Sequence, residues 1–251
     1  MWEWLLAPMD AARDHNVGWH LSWHARIMVL AWGVLVPLGI FTARYFKIAP
    51  GQDWPQTLDH HFWWNTHRIC QYSAFALMLL GLWLILTAPP MATLPGPHWF
   101  LGWSVVALGL VQILGGLFRG TKGGPTEPGP DGSWRGDHFD MTPRRKAFEY
   151  LHKSAGYTAL LLSVATIFSG LWQANGPNWM WLTLVMWWGG LIGLSVVLQR
   201  RGMAIDTYQA IWGPDPKLPG NQLKPIGFGV RRIEQQDAPI HRAEHKPTPG
   251  Q

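Results

Sequence analysis

The chain of 251 residues has 14% charged and 48% hydrophobic residues, 18 tryptophans and a formal net charge of +5. A mean hydropathy of zero hides a segregation into blocks: apolar runs near the roughly twenty residues that cross a bilayer recur five times, diluted by polar loops and a polar tail. An ordinary soluble domain is thereby excluded. The basic residues are scattered along segments flanking these runs, which argues against nucleic acid as a partner and for membrane lipid as the surrounding medium.

The N-terminus Met1-Trp2-Glu3-Trp4-Leu5-Leu6 is too short and too acidic for a signal peptide, so the first true span is expected to act as its own insertion signal, and residues 1–21 read as an interfacial segment with Trp2 and Trp4 at headgroup depth. Five spans follow, Ser22–Arg44, Trp63–Ala88, His98–Phe118, Phe148–Trp172 and Trp179–Gln199. Pro89-Pro90 and Pro95-Gly96-Pro97 separate the second from the third, and Asn175-Gly176-Pro177 the fourth from the fifth. Residues 119–147 form a Gly/Pro-rich polar loop, and residues 200–251 a Pro-rich basic tail without apolar periodicity; both read as extended or partly disordered. The expected architecture is all-α and integral to the membrane, organised as 1–21, 22–199 and 200–251.

Charge sets the orientation. One side receives only Arg13 and Arg26, whereas Arg44, Lys47, Arg68, Arg119, Lys122, Arg135, Arg144, Arg145, Lys146, Lys153, Arg200 and Arg201 flank the other. The positive-inside rule then puts the N-terminus outside and the C-terminus in the cytoplasm, as for a multi-pass protein of a bacterial-type inner membrane.

Of eleven histidines, His15, His60, His61, His138, His241 and His245 read as solvated. Four others stand at or just inside the starts of separate spans: His24, His67, His98 and His152. A lone histidine there is ordinarily an interfacial or capping residue. Consecutive spans run antiparallel, however, so His24 and His98 share one depth and His67 and His152 the other, if the first span lies beside the third and the second beside the fourth. Two imidazoles from facing helices at matched depth are what six-coordinate haem iron requires, and two such sites would stack across the membrane. Zinc would want a tetrahedral cluster at one depth, which these pairs do not provide. With a single cysteine, Cys70, and no Cys-x-x-Cys-His, there is neither an internal disulfide nor covalent haem attachment, and any metal rests on histidine. His20 shares a helix face with His24 but lies farther out. Arg26, Arg68 and Lys153 are placed to pair with haem propionates or to snorkel to lipid phosphate. Gly33, Gly39, Gly102, Gly109, Gly115, Gly116 and Gly156 either pack helices tightly or make room for porphyrin.

The string His24-Ala25-Arg26-Ile27-Met28-Val29-Leu30-Ala31-Trp32-Gly33, with Pro37-Leu38-Gly39 and Ala43-Arg44-Tyr45-Phe46, resembles the first core helix of the cytochrome b561 family, in the form attached to DOMON domains. His67 with Gln71, His98-x-x-x-Gly102 with Gln112 and Arg119, and His152-x-x-x-Gly156-Tyr157 follow the family pattern in order and spacing. The resemblance covers residues 22 to about 199. It implies a four-helix core with two non-covalent b-type haems, each held by two histidines, and electron transfer across the membrane, in the family from ascorbate to a monodehydroascorbate or ferric acceptor. The sequence departs from the family in showing neither the helix that precedes the core in six-helix members nor a DOMON domain, and in its long basic tail, so donor and acceptor are not carried over.

The chain is thus expected to act as a reductase or as a haem-bearing subunit of a larger membrane redox complex, with Gly189-Gly190-x-x-Gly193 offering a contact to a second copy or another subunit. The competing reading is a non-catalytic membrane subunit or assembly factor whose haem sites are structural or lost. No acid, base or nucleophile is arranged for covalent catalysis, and the sequence displays no quinone pocket.

Overall fold

The computed structural model describes residues 1–89, 96–120 and 136–234. Pro90, Pro95, the loop residues 121–135 with Lys122 and Arg135, and His241 and His245 in the tail lie outside the described residues.

A short helix, α1 (Trp2–Leu6), precedes a first span built of α2 (Trp19–Met28), a π-helical stretch (Val29–Leu35) and α3 (Val36–Tyr45). Then come α4 (Phe62–Leu86), α5 (Pro97–Leu117), α6 (Pro143–Gln173), α7 (Asn178–Arg200) and α8 (Thr207–Trp212). Among the described residues five helices are long and apolar enough to cross a membrane, and the protein is an all-α multi-pass membrane protein. The expected span ends hold within three residues except at the start of α6, which begins five residues early. There the Thr142 side chain accepts from the Arg145 N–H at 3.2 Å, and Pro143 sits in the first turn, where its missing N–H costs nothing. The cap carries the helix through charged residues at which hydropathy alone would stop.

Just beyond the π-helical stretch, Pro37 has no N–H to offer the Gly33 carbonyl one turn earlier. The freed carbonyl accepts from Trp187 Nε1 at 2.7 Å, tying α7 to the first span.

The first span packs along α4 and α5 along α6; α4 also meets α5, and α6 meets the first span. Short connectors make sequential antiparallel helices neighbours. The first span and α5 therefore face each other across the bundle, as do α4 and α6, which corrects the expected side-by-side placement. At the bundle centre Trp32 and Met78 close over Gly109, where an added Cβ would lie 3.1 Å from Trp32 Cζ2 and 3.4 Å from Met78 Sδ. Ala31, Ala74, Val105, Val106, Ala159 and Ile167 complete this core.

Each end of the bundle carries a polar clasp. At one, Asn175, in the left-handed region at φ 49° and 1% exposed, accepts from the Asp10 N–H at 2.9 Å and donates to the Asp10 carbonyl at 2.9 Å. It thereby holds the N-terminal segment against the turn between α6 and α7. At the other, residues 201–234 fold back as a cap, contrary to the expected extended tail. Asp206 caps α8, and Tyr208 and Ile226 pack with Met141.

Candidate functional site

The four histidines meet as two pairs. His24 and His98 have ring centroids 6.3 Å apart with planes at 87°; His67 and His152 have the same 6.3 Å spacing at 77°. A metal–imidazole bond is about 2.0–2.1 Å, and a ring nitrogen lies about 1.1 Å from its centroid. Two imidazoles on opposite sides of one metal ion therefore place their centroids roughly 6.3 Å apart. Both pairs have that spacing, so the donor sets fit a haem iron held between two imidazoles.

Hydrogen bonds from behind orient three of these rings. Nδ1 of His24 bonds the Gly81 carbonyl at 2.9 Å, Nδ1 of His67 the Gly39 carbonyl at 3.1 Å, and Nδ1 of His98 the Thr166 carbonyl at 3.0 Å. A carbonyl accepts only, so in each ring Nδ1 carries the proton and Nε2 keeps its lone pair for a metal. His152 differs: its Nδ1 is buried without a partner among the described residues, and the ring lies against Phe148, centroids 5.1 Å apart and planes at 25°. Gly170 makes room for His98, since a Cβ there would lie 2.7 Å from its Cε1.

Around His67 and His152 opens a cavity of about 490 Å³, within the usual range for cofactor sites. Gly116 and Gly156 line it, and at Gly116 a Cβ would meet nothing within 4 Å. The glycines therefore divide. Gly116 leaves open space beside the histidines, whereas a Cβ on Gly39 would strike Gln71 Nε2 at 2.5 Å and Cys70 Cβ at 2.9 Å, the mark of close helix packing.

Of the expected cationic partners, Arg68 and Lys153 line this cavity. Arg68 lies over Trp64 and Tyr72. Lys153 donates to Glu149 Oε2 at 2.7 Å and to the Ile226 carbonyl of the cap at 2.8 Å. Arg26 stays on the exposed side, bonded to Ser22 Oγ and over Trp23, because two helical positions from His24 point it away from that ring. The cavity also gathers Arg44, Lys47, Arg119 and Arg145. Burial, with Arg145 and Arg68 nearby, holds Arg119 down to about 10, and burial beside Lys153 brings Lys47 down to about 7. The wall thus favours anionic groups.

Two features lay beyond sequence reasoning. The cap closes over the cavity with Thr207, Gly227 and Val230, held by Arg44 donating to the Phe228 carbonyl at 2.8 Å and Lys47 to the Ile205 carbonyl at 3.0 Å; its signal was Asp206, a good N-cap ahead of an apolar turn. His138, expected to be solvated, is 0% exposed. It accepts from Trp212 Nε1 at 3.1 Å and faces Glu149 Oε1 at 3.5 Å. Burial, reinforced by the nearby Arg145, lowers it to about 3. No group of three or more His, Cys, Asp or Glu residues suited to a metal ion occurs among the described residues, so the histidines form pairs and not a zinc-type cluster.

Comparison with known proteins finds relatives in the family that the motifs resemble. A cytochrome b561 and DOMON domain-containing protein of Arabidopsis thaliana is 31% identical over 152 residues, covering 59% of this chain and 27% of that protein. The chain is similar to proteins of the cytochrome b561 type. A second Arabidopsis thaliana protein, described as containing cytochrome b561, DM13 and DOMON domains, is 26% identical over 174 residues, 69% of this chain and 17% of its own. Ferric-chelate reductase 1 of Homo sapiens is 26% identical over 213 residues, 83% of this chain and 32% of its own. The chain spans less than half the length of these curated relatives. No family model and no solved structure matches it.

Proposed function

We propose that the chain carries electrons across a membrane through two b-type haems, one between His24 and His98 and one between His67 and His152. The observation that carries this reading is the repeated 6.3 Å spacing of imidazoles from facing spans. Haem iron supplies reversible one-electron chemistry when bound. The protein's own residues do the rest. The Gly81, Gly39 and Thr166 carbonyls keep three rings in the ligating tautomer and raise their basicity. The Trp32, Met78 and Gly109 contact fills the space between the two levels with packed, apolar matter that excludes water. Arg68, Arg119 and Lys153 line one cavity with positive charge suited to propionates.

The charge asymmetry of the flanking segments supports an N-terminus outside and a cytoplasmic C-terminus in a bacterial-type inner membrane. Electron donor and acceptor are separate partners, and the chain serves as a reductase or as the haem-bearing subunit of a larger complex.

The test is haem stoichiometry with reduced-minus-oxidised spectra on the purified full chain. The expected result is two b-type haems resolving into two potentials, with His98→Ala removing one and His152→Ala the other. Colourless protein, or a single haem lost in both variants, overturns the reading.

A further inference from the structure

A second cavity, of about 440 Å³, opens at the capped end of the bundle between the first span, α6 and α7. From α7 it takes Trp188, Leu191, Ile192 and Ser195, spaced to form one helical face. Three residues, Ile40, Arg44 and Tyr157, line both this cleft and the His67 and His152 cavity. They form the wall between the two.

The lining dictates what the cleft can hold. Five aromatic side chains, Phe41, Tyr45, Tyr157, Trp188 and Phe228, contribute to it, and aromatic walls favour a flat ring by stacking or edge contacts. Its polar end offers the Arg44 guanidinium and the Ser195 hydroxyl, and no carboxylate lines it. Arg44 donates to three neutral acceptors, Tyr157 Oη at 2.9 Å, Gln199 Oε1 at 2.9 Å and the Phe228 carbonyl, and no ion pair among the described residues involves it. The head of a ligand must therefore accept hydrogen bonds beside an uncompensated cation, its body must be planar, and its remainder must be apolar enough to come from the bilayer.

We propose that this cleft binds a membrane-soluble quinone, with the ring among the aromatic side chains and a carbonyl oxygen toward Arg44 and Ser195. A phospholipid would leave the aromatic walls facing flexible acyl chains with no ring to stack. Naming a redox lipid rests on the electron-transfer reading above; the occupancy of the cleft does not.

The test is photolabelling of the full chain in phosphatidylcholine nanodiscs with a short-tailed azidobenzoquinone, followed by peptide mapping. The expected outcome is saturable labelling of peptides holding Phe41 to Tyr45 and Trp188 to Ser195. Leu191→Trp, which fills the cleft, lowers it roughly tenfold while the haem spectrum and elution volume stay unchanged. Ser195→Leu weakens it in the same direction and serves if Leu191→Trp fails to fold. Labelling that rises linearly without saturating, persists in both variants, or is displaced by phosphatidylglycerol in the disc overturns the proposal, the last by making the cleft a phospholipid site. Haem-free protein that still labels saturably would remove the electron-transfer reading and leave the binding site standing.

Discussion

Gly170→Ala is a sharp perturbation of one site because the glycine touches the bundle's chemistry and not only its packing. An alanine methyl at this position would lie 2.7 Å from His98 Cε1 and 2.9 Å from His98 Nδ1. Carbon atoms rest comfortably at about 3.5 Å or more, so the ring must retreat by roughly 0.8 Å. Nδ1 is the atom that bonds the Thr166 carbonyl at 3.0 Å, and a retreat of that size takes it out of hydrogen-bond range. Losing the partner behind a ligating histidine costs about 10- to 100-fold in metal affinity, or about 1.4 to 2.7 kcal/mol. The assay is the haem-to-protein ratio with a potentiometric titration. The expected result is selective loss, or a shifted potential, of the component assigned to His24 and His98, with the His67 and His152 component unchanged. Gly189→Ala, where an added Cβ meets nothing within 4 Å, is the matched control. Both haems retained at unaltered potentials, or a change confined to the other pair, refutes the reasoning.

Acidification should release the cap. An unpacked His138 takes up a proton near its ordinary 6.5 and the packed one only near 3, so between these values the unpacked state holds more protons. The contribution of His138 to packing is complete above about pH 6.5 and is lost as pH falls toward 3. Limited proteolysis of residues 201–234 against pH should show this, and an unchanged profile in His138→Phe would count against it. Trp187→Phe leaves the Gly33 carbonyl without its side-chain donor and is expected to cost about 1–3 kcal/mol, read as a lower unfolding midpoint in detergent; an unchanged midpoint would show that another group takes over. Asn175→Ala removes the bonds to Asp10 and places alanine at positive φ, so cleavage after Arg13 by trypsin should accelerate with haem content intact, and equal rates would refute the clasp.

Five spans, their order and the two matched depths of the histidines were legible in the sequence, because each depends on local hydropathy and on antiparallel succession. A run of apolar residues such as Trp179 to Gln199 must cross wherever its neighbours lie. His24 and His98, starting spans that run the same way, share a depth whatever the packing. The sequence also carried the family pattern, through His67 with Gln71 and His152 with Gly156.

Rotation of each helix about its own axis, and the fate of polar segments, were decided only by tertiary structure. Whether Arg26 turns toward His98 or toward solvent depends on how the first span is rolled in the bundle, and whether residues 201–234 trail or fold depends on carbonyls that Arg44, Lys47 and Lys153 can reach. His138 shows the same dependence: its polar neighbourhood in sequence suggests solvation, yet Trp212 and Glu149 arrive from 74 and 11 residues away to bury it. Depth in a membrane follows from the one-dimensional pattern of apolar residues, whereas facing and enclosure require the other helices to be in place.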